Sequence, residues 1–230
     1  MQVVTQRIRD TSKSIQDEKT VDWCHMLELI HVMGMEKSLK NQYQNASNIA
    51  ARINIHHLYS QNAQGWFPWI YEQCHINSVN NILELGCGDC TLWTENFSKI
   101  PDAIQITLSD ISEGMLRDTR RSIGCEDSRF DFDTFDCSHI PYEDKSFDLV
   151  LANHVLFYCE DIAKVCRSDW LLKPGGTFIC STYGNRHMKE VSQLVSDFDD
   201  RIVLSADKLY ERFGRENGKE LLSPIFWDVL

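Results

Sequence analysis

Residues 84–90 read Glu84-Leu85-Gly86-Cys87-Gly88-Asp89-Cys90, a glycine-rich turn between a short apolar run and a helical segment starting near Thr91. Glycines at such a turn let the backbone approach a ligand closely and adopt dihedrals that a Cβ would forbid. A second apolar run ends at Asp110, and a carboxylate at a strand end can accept both hydrogen bonds of a ribose diol. Asp136 follows a third run. There it could accept from the exocyclic amine of an adenine, or simply cap a turn. Asn153 and His154 close a fourth run, and Leu172-Lys173-Pro174-Gly175-Gly176 reads as a sharp turn into a fifth. His154 is the best-placed general base, although a histidine at a strand end serves structure at least as readily. Tyr158 suits packing as well as substrate contact. Together these residues describe a cradle for a nucleoside-containing cofactor with a proton acceptor beside it.

The elements that must position them follow from the apolar pattern. Residues 82–85, 103–109, 130–135, 147–153 and 177–182 read as strands, and 91–99, 112–123, 160–172 and 187–199 as helices, with Ser112 as an N-cap. This alternation predicts an α/β fold: a Rossmann-like, mostly parallel sheet with helices on both faces and ligands at the carboxyl ends of its strands. The first 64 residues hold a single glycine, Gly34, and no proline, so they are expected to be helical. Three parts result: an N-terminal helical extension (1–35), a helical cap (36–80) and the cofactor-binding core (81–230). Near the end, residues 205–214 read as a helix capped by Ser205 and ended by Gly214. Only residues 225–230 then remain for a sixth strand.

Composition excludes several classes. With 23 Lys+Arg against 34 Asp+Glu, the net charge of −11 argues against a broad phosphate-binding surface, and so against direct nucleic-acid binding. No apolar stretch is long enough to span a membrane, and no apolar leader core opens the chain. Nine scattered cysteines in a chain able to build its own core read as reduced thiols of a cytoplasmic protein.

Glu84–Cys90, Leu108-Ser109-Asp110-Ile111-Ser112, the run Phe135–Tyr158 and Leu171–Phe178 closely resemble the successive motifs of class I S-adenosylmethionine (SAM)-dependent methyltransferases, of the type 11/12-like branch acting on small molecules. The resemblance spans about residues 43 to 200 and implies SAM as cofactor, with S-adenosylhomocysteine as product. It implies that the turn Gly86, Cys87 and Gly88 passes under the methionine moiety, that Asp110 holds the ribose hydroxyls and that Glu84 is among the cofactor-binding residues. Ile111 would pack on the adenine with Met115 nearby, Asp136 and Cys137 would lie at its edge, and Asn153 and His154 would border the sulfonium and the acceptor. At Cys90 the family commonly has glycine. Residues 42–73 resemble the N-terminal cap of one bacterial branch, which nominates Tyr43, Arg52, Tyr59 and Trp66 as pocket residues. Residues 1–35 resemble the tail of a MerR-type regulator.

Bland alternatives stand beside these assignments. A dinucleotide turn would want a third glycine where this chain has Thr91. Cys87 and Cys90 have redox or zinc spacing, but no second close pair completes four ligands, so no metal is expected. Trp66, Phe67 and Trp69 suit a core as well as a pocket, and at most one of His56 and His57 can face the site. The element following Ala152 lacks the Pro-Pro-Tyr signature of base-methylating relatives, which with the acidic charge favours a small-molecule acceptor. The rival reading is a SAM-binding sensor domain of a transcription regulator. The strand count also suggests a chain cut short at its back, leaving an apolar sheet edge that would invite homodimerisation.

Overall fold

The computed structural model describes residues 2–7, 53, 58, 60, 62–124, 126–166, 171–201 and 208–226. Its strands are β1 (Gln2–Arg7), β2 (Asn81–Leu85), β3 (Gln105–Asp110), β4 (Phe130–Thr134), β5 (Phe147–Asn153) and β6 (Leu172–Thr182). They form one sheet in the order β1-β6-β5-β2-β3-β4. β2 to β6 are mutually parallel, and β1 alone runs antiparallel, against β6. Helices α1 (Trp66–Gln73), α2 (Thr91–Thr94), α3 (Glu113–Ile123), α4 (Ile162–Cys166), α5 (Lys189–Phe198), α6 (Leu209–Arg212) and α7 (Gly218–Leu222), with the 3-10 turns Ile76–Ser78, Phe97–Lys99 and Leu156–Tyr158, complete the described elements.

Side chains alternate across a strand, and here both faces are apolar because both are covered. Ile82, Ile106, Leu108, Leu149 and Leu151 point to one face, where Tyr71, Trp93 and Leu116 meet them. Leu83, Leu85, Val150, Ala152 and Phe178 point to the other, under Phe213, Leu222 and Phe226. The order of connection reverses at β2, which lies between β3 and β5, so the crevice of this fold opens at the carboxyl ends of β2 and β5. Asp148 locks the opposite end: its carboxylate accepts from the amides of Asn80 and Asn81 at 2.9 and 2.8 Å and pairs with Lys173 at 3.0 Å.

Several expectations are corrected. Residues 2–7, expected to be helical, form the antiparallel edge strand, with Val4 opposite Cys180. The edge proposed as an open dimer surface is therefore occupied by the chain itself. The Lys173–Gly176 turn lies inside β6: Phe147 pairs with Leu172 and Leu149 with Thr177, so the intervening residues leave the ladder, Gly175 with φ +80°. Leu172 thus belongs to a strand, and the helix expected over 160–172 is described only as α4. The helix over 91–99 breaks at Asn96 into α2 and a single 3-10 turn, Phe97–Lys99. The helix over 205–214 is α6, and its expected cap Ser205 lies outside the described residues, as do 227–230.

Candidate functional site

The turn after β2 is built by left-handed backbone. Gly86, Gly88 and Cys90 have φ of +65°, +59° and +57°. At Gly86 a side chain has no space, since a Cβ would lie 2.7 Å from Val155 Cγ2. The turn is tied to its neighbours by the Cys87 amide, which donates to the Ser109 carbonyl at 2.9 Å, and by the Thr119 hydroxyl, which donates to the Gly88 carbonyl at 2.8 Å. Asp89 accepts from the amide and hydroxyl of Thr91 at 3.2 and 2.7 Å and so starts α2.

Asp110 ends β3. One carboxylate oxygen accepts from the Ser112 amide at 2.9 Å and the other from the Gly88 amide at 3.2 Å. A carboxylate has about four acceptor sites, so capacity for a diol remains. Burial raises its pKa, and the backbone donors oppose this. Next to it Ile111 is an apolar side chain 62% exposed, a surface suited to a stacked ring. Ser112 caps α3 by accepting from the Met115 amide at 3.2 Å, and Met115 itself is buried. These features fit a ribosyl-adenine group.

Asp136 is exposed and caps the following turn, accepting from the Ser138 amide at 2.8 Å. Cys137 beside it is half-buried, and its sulfur lies 2.9 Å from that of Cys159.

Beneath the cradle, Glu84 is 2% exposed and accepts from Trp93 Nε1 at 2.5 Å and from Asn153 Nδ2 at 3.3 Å. Burial pushes its pKa up to about 7 against these donors, and Asp89 and Asp110 add to the rise. The network continues outward: Ser181 Oγ donates to Asn153 Oδ1 at 3.3 Å and accepts from the His154 amide at 3.1 Å. His154 has φ +53°, a left-handed conformation costly for a residue with a Cβ. Its ring centroid lies 5.4 Å from that of Trp66 and 6.4 Å from that of Phe157. Phe157 packs in turn on Tyr158 and Tyr183 at 4.6 and 5.2 Å. An aromatic wall therefore stands at the carboxyl ends of β5 and β6, next to the cradle.

Of the nominated residues, Tyr43, Arg52 and Tyr59 lie outside the described residues, as do His56 and His57. Trp66 stands beside His154 as well as 5.3 Å from Trp69, so it is both packed and at the site. The thiols of Cys87 and Cys90 approach the carbonyls of Gly88 and Thr119 respectively. Among the described residues no group of three or more His, Cys, Asp or Glu is placed to hold a metal ion, and no helix is long and apolar enough to cross a membrane. Sequence reasoning missed Trp93, Thr119 and Ser181. Each reaches its partner from a different element, and no local spacing could signal that.

Residues 83–180 match the family model described as "Methyltransferase domain". The chain is 31% identical over 113 residues to Methyltransferase GfsG of Streptomyces halstedii, covering 46% of this chain and 39% of that protein. It is 30% identical over 167 residues to Polyketide synthase-nonribosomal peptide synthetase ACE1 of Pyricularia oryzae, covering 66% of this chain and 4% of that protein. The chain thus spans less than half the length of either relative. A chain of the Haloferax volcanii complex between the Trm112 methyltransferase activator and a methyltransferase shares the fold, with a TM-score of 0.52 at 19% identity over 76% of this chain and 71% of that one. The fold is that of Rossmann-like methyltransferases. The matched domain and relatives support a class I SAM-dependent methyltransferase and do not favour the regulator reading; a fused MerR-type tail is not shown.

Proposed function

We propose that this SAM-dependent methyltransferase domain transfers a methyl group to a small organic acceptor seated against the aromatic wall of Trp66, His154, Phe157 and Tyr183. The observation that carries this reading is the adjacency of two unlike surfaces. On one side lie a glycine turn and carboxylates suited to a cationic nucleoside, and on the other lies a ring-lined face.

SAM, when bound, supplies an electrophilic methyl on a sulfonium whose departure leaves a neutral thioether. The chain's own contribution is to hold and align. Gly86, Cys87 and Gly88 would lie under the methionine end, with Glu84 and Asn153 below. Asp110 would accept from the ribose diol, Ile111 and Met115 would flank the adenine, and Asp136 and Cys137 would border its edge. Asp89 and Asp110 make the pocket acidic, which favours a cation. The Trp66 ring would favour the sulfonium side. His154 would take the proton of an acceptor whose attacking atom carries one, with Tyr158 and Phe157 packing behind it.

The described cysteines are thiols, which supports a reducing, cytoplasmic setting. The relative named as a polyketide synthase supports a small organic acceptor. The test is conversion of SAM to S-adenosylhomocysteine across a panel of small hydroxy, amino and thiol compounds, with SAM binding followed by calorimetry. Turnover with at least one acceptor is expected. Tight binding with no turnover for any compound would overturn the enzyme reading, and binding of NAD(P)H in place of SAM would overturn the cofactor.

A further inference from the structure

We propose that Cys137 and Cys159 form a redox-active dithiol whose disulfide ties the adenine-side loop to the acceptor-side turn and thereby weakens cofactor binding. Cys137 lies in the loop after β4, next to Asp136, and Cys159 ends the 3-10 turn Leu156–Tyr158 that follows His154. Their sulfurs are 2.9 Å apart across two separate elements. A disulfide bond of about 2.05 Å therefore needs a closure of under an ångström, provided the Cβ vectors already face each other.

The two thiols differ in a way that assigns their roles. Cys137 is half-buried and open to a small oxidant, whereas Cys159 is buried. The hydrogen bond it shares with Cys137 and then burial push the Cys159 thiol well above its ordinary range. Cys137 is then the attacking sulfur and Cys159 the resolving one.

With hydrogen peroxide as oxidant the chemistry balances. The Cys137 sulfur attacks one peroxide oxygen, the S–O bond forms, the O–O bond breaks, and the departing hydroxide leaves as water with the thiol proton. The Cys159 sulfur then attacks the sulfenic acid. The S–S bond forms, the S–O bond breaks, and a second water departs with the Cys159 proton. Two thiols are oxidised by two electrons, and one peroxide is reduced to two waters. Cys74, Cys87 and Cys90 approach backbone carbonyls, as Cys159 also does that of Val155 at 3.7 Å.

The bridge draws Cys137, and Asp136 with it, toward the turn that carries Phe157. That displacement falls at the edge assigned above to the adenine, so the affinity effect rests on the proposed function, while the bridge itself does not. The experiment treats the native chain with hydrogen peroxide, blocks remaining thiols with N-ethylmaleimide, and maps peptides by mass spectrometry. A reducible Cys137–Cys159 cross-link is expected as the first product. Cys159→Ala should instead leave a sulfenic acid on Cys137 that dimedone traps, and Cys137→Ser should give neither. SAM should bind about tenfold more weakly to the cross-linked protein than to the reduced one, recovering with dithiothreitol. Failure of the cross-link to form, or its appearance elsewhere in Cys137→Ser, overturns the dithiol. Equal SAM affinity of cross-linked and reduced protein overturns the coupling. Absence of SAM binding to the reduced protein would overturn the functional reading instead, so the two failures are distinguishable.

Discussion

The indole Nε1 of Trp93 donates at 2.5 Å to the carboxylate of Glu84, joining the first helix after the glycine turn to the strand before it beneath the candidate cofactor site. A buried carboxylate is costly to ionise, and this donor, with Asn153, only partly offsets the cost.

Glu84 consequently makes stability depend on pH. Its pKa is raised from an ordinary 4.5 to about 7. The folded protein holds this proton more tightly than the unfolded chain, so its stabilisation is complete below pH 4.5 and is lost as pH rises through about 7. The full span is on the order of 3 kcal/mol. Glu84→Gln should flatten this part of the profile, measured as urea midpoints from pH 4.5 to 8. Parallel profiles for the two proteins would refute the raised pKa.

Asp110→Ala should weaken SAM binding by about 30-fold or more, because two hydrogen bonds to an ionised acceptor are worth about 1 kcal/mol or more each. Calorimetry checks it. Affinity unchanged from wild type would remove Asp110 from the ribose site.

The backbone and the ring of His154 can be separated. Glycine adopts the observed φ of +53° without penalty, whereas alanine does not. His154→Gly should therefore exceed His154→Ala in thermal stability by about 1 kcal/mol. Both should lose the same acidic limb of the pH–rate profile. If that limb persists in both variants, the ring is not the base.

Gly86→Ala places a Cβ 2.7 Å from Val155 Cγ2 at a φ of +65°. The expected loss is about 2–4 kcal/mol, combining the left-handed conformation with overpacking. Adding Val155→Ala should restore the overpacking share alone. A double variant no more stable than Gly86→Ala would show that the backbone dihedral accounts for the whole effect.

Deleting residues 1–7 removes β1 and exposes the ladder of β6 from Thr177 to Thr182. An unpaired edge invites association. Light scattering should show self-association of the shortened protein that the full chain lacks at the same concentration. An equally monodisperse shortened protein would mean that β1 does not protect the edge.

The parallel strands and the residues at their carboxyl ends were legible because their signals are local. Each strand is a short apolar run; Asp110 and Asn153 end one, and Gly86, Gly88, Asp136 and His154 follow one within three residues. The excursion within β6 was half legible: Pro174, Gly175 and Gly176 announced a turn, but not that Leu172 would still pair with Phe147 on its far side. The N-terminal strand was not legible, since Gln2–Arg7 alternates no more clearly than a helix does and its partner lies near the other end of the chain.

By itself, therefore, the amino-acid order determined the α/β alternation, the cradle and the nucleoside-like chemistry, because nearest-neighbour backbone preferences and apolar periodicity act within a few residues. Only the tertiary structure decided that Trp93 would hold Glu84, that a left-handed His154 would face Trp66, that Cys137 would meet Cys159, and that β1 would close the edge of β6. Those contacts join segments on different elements. Their formation depends on how the covered sheet brings those elements together and on which buried polar and sulfur groups must then find partners.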